Sequence, residues 1–92
     1  MIVRIMGEGQ FEVADSVHDE LNRWDAQVEA AVQARDEVAF RSALDGLLGV
    51  VRRGGTTVAD DVIVDSALIL PHADASIDEV VEMLGEEGLI PD

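Results

Sequence analysis

The sequence has no cysteine, lysine or tyrosine and only two prolines, and its aromatic residues are Phe11, Trp24 and Phe40. Without cysteine there is no disulfide, no thiolate nucleophile and no thiolate-based zinc or iron–sulfur site. The only side chains with a permanent positive charge are the six arginines, at positions 4, 23, 35, 41, 52 and 53, and only Arg52 and Arg53 are adjacent. Nucleic-acid binding relies on clustered cations that displace counterions from phosphate, and anionic lipid surfaces attract the same kind of cluster. Direct binding to DNA, RNA or an anionic bilayer is therefore not expected. No apolar run approaches the roughly 20 residues of a membrane-spanning helix, so direct membrane insertion is not expected either. No basic segment leads into an early apolar stretch, so a signal peptide is not expected and the anticipated location is cytoplasmic. With so few aromatics, the core must be built from Val, Leu, Ile and Ala.

Acid is what the chain has in excess. Twenty Asp and Glu against six Arg give a formal net charge of -14 over 92 residues. A hydrophobic fraction of 48% nonetheless argues for folding rather than disorder. That length fits one domain, residues 1–92, with a thin core. The acidic surface serves solubility, or it docks on a basic partner. Loss of lysine with surplus carboxylate follows either from a G+C-rich genome or from high salt, and composition does not separate the two.

The patterning predicts an α+β domain in the order β-β-α-α-(β)-α. Ile2–Met6 reads as a β-strand, and residues 10–13 alternate polar and apolar. Between them Gly7-Glu8-Gly9 supplies residues tolerant of positive φ, so an N-terminal hairpin over 2–13 is expected, with Val3, Ile5, Phe11 and Val13 facing the core. Ser16 with Asp19 resembles a capping box opening a first helix, which runs to about Ala34 along the face of Val17, Leu21, Trp24, Val28 and Val32. Asp36 is placed to cap a second helix carrying Phe40, Leu44, Leu47, Leu48 and Val51, which stops at Gly54-Gly55. Asp19 with Arg23, and Glu37 with Arg41, are spaced for i,i+4 pairs. The short link at 35–36 predicts an antiparallel αα-hairpin. Residues 56–70 read as a loop with one or two extended pieces, the better at 68–70. Ser76 and Glu79 form a capping box for a third helix that stops at Gly85. A lone two-stranded hairpin is marginal in water. It should therefore pair with 68–70 or 88–90 of the same chain, or through its edge with another subunit.

Candidate chemistry is sparse. His18 sits among Asp15, Asp19 and Glu20, which allows a small metal- or ligand-binding sensor to be imagined, but no spacing matches a metal site. A solvated surface histidine is the plainer reading, and His72, in a loop after Pro71, reads the same way. Asp60, Asp61 and Asp65 lack the pattern of a calcium loop. Gly7-Glu8-Gly9 lacks the third glycine and the following helix of a dinucleotide fingerprint. Trp24 falls on the apolar stripe and is expected in the core rather than as a stacking platform. No catalytic residue, metal or cofactor is assigned, and an enzyme is not expected.

The opening block Met1–Gln10, Leu21-Asn22 in the first helix, Leu70-Pro71 with Asp74, and Glu87-Gly88-Leu89-Ile90-Pro91 at the end together resemble the PspA-associated protein family, PspAA. The resemblance covers essentially the whole chain, and its first and last blocks are the specific parts. It implies a non-enzymatic accessory of the phage-shock-type membrane and envelope stress response. Such an accessory would bind and modulate PspA, a coiled-coil protein that binds stressed membranes, or an associated component, and would reach the membrane through that partner. The partner-contact candidates are Arg4, Glu8 and Gln10 in the hairpin block and Leu89 and Ile90 at the tail, with Gly7 and Gly9 shaping the turn. The alternative is a self-assembling module, a homo-oligomer formed through the hairpin edge without PspA contact.

Overall fold

A computed structural model describes residues 1–59, 61, 62 and 64–84. The tail candidates Leu89 and Ile90, the expected stop at Gly85, and Asp60 of the acidic loop lie outside the described residues. Strands β1 (Ile2–Ile5) and β2 (Gly9–Glu12) form the antiparallel hairpin, with Val3 opposite Phe11 and Arg4 opposite Gln10. The reversal needs left-handed backbone at two places: Gly7 has φ 85° and Gly9 φ 109°. Side chains other than glycine rarely adopt such angles. The Glu8 amide closes the turn onto the Ile5 carbonyl at 2.9 Å.

Neither long side of the hairpin is left open. β3 (Thr56–Thr57) pairs antiparallel with β2, and β4 (Leu68–Leu70) pairs parallel with β1, giving the order β3-β2-β1-β4. The expected pairing with 68–70 is thus made within the chain, and the hairpin edge is not free to join another subunit. Two threonines in a loop-like stretch gave no period-two signal, so β3 is a strand only because β2 is beside it.

A parallel pair requires a long crossover, and two helices lie within it. A 3₁₀ turn at Asp15–Val17 leads into α1 (His18–Ala34), and α2 (Glu37–Gly54) returns antiparallel. The expected Ser16–Asp19 capping box does not form, because the α-helix begins at His18 with Val17 rather than Ser16 at its N-cap, and no side chain caps it. Asp15 instead accepts from the Met1 ammonium group at 3.2 Å. Arg35 ends α1 in the left-handed conformation, φ 53°, with its amide on the Val32 carbonyl and the Asp36 amide on the Ala31 carbonyl. That is a Schellman-type cap, made here without glycine. Asp36 caps α2 by accepting from the Ala39 amide at 3.0 Å. For α3 (Ile77–Leu84) the capping box is complete: the Glu79 amide donates to Ser76 Oγ at 3.1 Å, and the Ser76 amide donates to Glu79 Oε1 at 3.3 Å.

The helices and one sheet face share a single core. Val3, Ile5, Leu68 and Leu70 meet Leu21, Val28, Phe40, Leu44, Leu47 and Val51, all buried. The register puts Arg4, Gln10 and Ile69 side by side on the opposite face, where Ile69 is 51% exposed. Sheet and helices thus bury one face each, a two-layer α+β arrangement.

Candidate interaction surface

The hairpin residues singled out from sequence separate into different roles. Arg4 is exposed at the centre of the outer sheet face and makes no ion pair among the described residues. Glu8, at the turn, is gripped by both Nε and Nη2 of Arg52 in the last turn of α2, with the Nε contact at 2.9 Å. This hydrogen bonding holds the Glu8 carboxyl below its ordinary value, against partial desolvation that acts the other way. Gln10 Nε2 donates to the Val64 carbonyl at 2.9 Å and to Ser66 Oγ at 2.8 Å, pinning the β3–β4 connection to the outer sheet face. Glu8 and Gln10 therefore hold the fold together across 44 to 56 residues of sequence. Of the three hairpin candidates, Arg4 alone makes no side-chain hydrogen bond or ion pair among the described residues.

His18 is half-buried and meets Asn22 Nδ2 at 3.2 Å through Nδ1. Among the described residues no group of three or more His, Asp or Glu side chains could hold a metal ion. His72 Nε2 lies 3.1 Å from Glu79 Oε2. That contact, with the Ser76 capping bonds, keeps the Glu79 carboxyl below its usual range.

Other pairings that sequence spacing suggested do not form. Arg41 does not reach Glu37. It lies over the Phe40 ring, 5.2 Å from its centre, and donates to the carbonyls of Ala73 at 2.5 Å and Ala75 at 2.9 Å. There the guanidinium fork, with five N–H donors, meets two carbonyls of the loop before α3 at once. Arg35 pairs instead with Asp78 of α3 at 2.7 Å, and no ion pair joins Asp19 to Arg23 among the described residues. Trp24 is half-buried against the core, as its place on the stripe predicts, and its ring lies on Gly46 of α2.

Sequence reading missed a surface at the closed end of the αα-hairpin. A depression of about 310 Å³ runs along the seam, lined by Ala30, Ala31 and Ala34 of α1 and Ala39 and Ala43 of α2. Gln27 and Asp36 complete its lining, while Val38, 81% exposed, lies on a separate outer face of α2 with Glu37, Arg41, Ser42 and Asp45. The alanines at 30, 31, 34, 39 and 43 were the signal available: small residues on both helices where they meet.

The family model of the PspA-associated protein, PspAA, matches residues 1–92. The chain belongs to that family. No curated protein and no solved structure matched the chain significantly. For a PspAA-family chain, the family's description points to an accessory role with PspA. No helix among the described residues is long and apolar enough to cross a membrane.

Proposed function

We infer that this PspAA-family domain is a non-enzymatic, cytoplasmic accessory that binds PspA, or a component associated with it, and modulates its assembly during membrane stress. The observation that carries this reading is the family match over the whole chain. Electrostatics supports it. A net charge of -14 disfavours contact with an anionic bilayer. Any route to the membrane therefore runs through a partner that presents cationic surface. The same charge opposes close association of two copies, and both sides of the β1–β2 hairpin are already paired within the chain.

Co-purification with the cognate PspA at low and at high salt tests the reading. Association is expected at low salt and should weaken as salt screens the attraction. Absence of association at both salt concentrations would remove it.

A further inference from the structure

We propose that the far edge of β4 accepts residues 88–90 of the same chain as a fifth strand, parallel to β4. Strand pairing of this kind does not depend on PspA.

Four observations carry this assignment. The first is an open strand edge. The Leu70 carbonyl accepts from the Met6 amide at 3.0 Å. Backbone groups of successive strand residues point to opposite sides, so the N–H and C=O of Ile69 face away from β1. Among the described residues no strand lies on that side of β4. Leu68–Leu70 also carries none of the charged side chains that commonly protect an edge. The second is the place of α3. Ile77 and Val80 join Leu68 and Leu70 in the core, and α3 packs on α1. It therefore covers the helical face of β4, where the crossover helix of a β-α-β unit lies. β1 holds one side of β4, which leaves the far side for a returning strand. The third is length. Residues 71–87 exceed the dozen or so that a parallel crossover needs. Because α3 ends at Leu84, residues 85–87 form the return, within the usual two to six residues of such loops. The fourth is side-chain chemistry. Leu89 and Ile90 point to opposite faces of a strand. One extends the buried row of Leu68 and Leu70, and the other lies beside Ile69, which is 51% exposed. Pro91 has no N–H to continue the ladder. Glu86 and Glu87 make the segment as acidic as the body, so entry of the same segment from a second copy is disfavoured, whereas the tethered segment needs no association. The edge is then closed to strands of other chains, and Leu89 and Ile90 hold the sheet rather than contact a partner.

Amide hydrogen exchange at Ile69, followed by NMR on the full chain at low protein concentration, tests the added strand. Leu89→Pro removes an N–H and fixes φ, so it cannot sustain that strand. The Ile69 amide is expected to exchange at least about tenfold faster in Leu89→Pro than in wild type. The Val3 and Ile5 amides, on the β2 side of β1, should keep their protection and show that the variant is folded. Nuclear Overhauser contacts between Ile69 and residues 88–90 are expected in wild type. Fast exchange at Ile69 in wild type, or slow exchange that Leu89→Pro leaves unchanged, overturns the assignment. Protection that appears only as protein concentration rises also overturns it and gives the edge to a second copy. Should Leu89→Pro lose protection at Val3 and Ile5 as well, the wild-type Overhauser contacts decide: their presence supports the strand and their absence overturns it. None of these outcomes bears on PspA binding, which the co-purification tests separately.

Discussion

Gly46 shows how one missing side chain can determine a packing arrangement. In a helix interior, glycine costs about 1 kcal/mol relative to alanine. Propensity alone therefore favours Gly46→Ala. In the folded protein, however, a Cβ at Gly46 would run into the ring of Trp24. The indole is the largest side chain of the molecule and lies flat on this helix only because position 46 is bare. Gly46→Ala is expected to lower stability by roughly 1–3 kcal/mol, the usual range for overpacking. Thermal unfolding followed by circular dichroism checks the sign, and a gain in melting temperature would contradict the packing account. Arg35 carries the opposite lesson. It adopts left-handed backbone although glycine is the usual choice there.

At the scale of elements, charged and polar side chains fasten pieces that are distant in sequence. Glu8 and Arg52 tie the hairpin turn to the end of α2. The Glu8 carboxyl is held below its ordinary value of 4.5 in the folded state, chiefly by the Arg52 hydrogen bonds. The folded form thus binds that proton less readily than the unfolded chain does. The stabilisation is fully present above about pH 4.5 and is lost as the pH falls through the lower folded value. Glu8→Gln should be less stable than wild type near neutrality, and the gap should close in acid. Denaturant midpoints measured from pH 6 to pH 3 test this, and a constant gap would rule out the pair as its source. Gln10 and Arg41 do comparable work without titrating. One pins the β3–β4 connection, and the other holds the loop that leads into α3. The short α3 depends on its box as well. Ser76→Ala should cost about 1 kcal/mol, visible as a lower thermal midpoint.

At the scale of the whole molecule, 20 acids share a small surface with six arginines, two of which are committed to carboxylates and one to backbone carbonyls. The compact state concentrates the remaining repulsion. Raising the ionic strength from about 0.01 M to 0.15 M shortens the screening length from about 30 to 8 Å. The melting temperature at neutral pH should therefore rise over that range, and a fall or no change would indicate that the arginine pairs outweigh the general repulsion. Partner binding should follow the reverse trend, weakening with salt, because there the acids attract rather than repel. The same carboxylates thus predict opposite salt responses for folding and for docking.

The sequence by itself determined the elements that depend on neighbours a few residues apart. The hairpin turn needs glycine-tolerant angles at positions 7 and 9, the two long helices carry their own apolar stripes, and Asp36 and the Ser76–Glu79 box reach amides three residues away. The core faces Val3, Ile5, Phe40, Leu44 and Leu47 were legible for the same reason, since periodicity is a local property. Only the tertiary structure decided the rest. Thr56–Thr57 became a strand through β2, Leu68–Leu70 closed the other side of the hairpin through β1, and Glu8, Gln10 and Arg41 found partners more than thirty residues away. Periodicity carries no information about such distant pairings. They are settled by which surfaces the packed core brings within hydrogen-bond range. The alanine-lined seam is also of this kind. Its alanines lie on two helices, and their joining into one groove beside Gln27 and Asp36 is a consequence of how α1 and α2 pack.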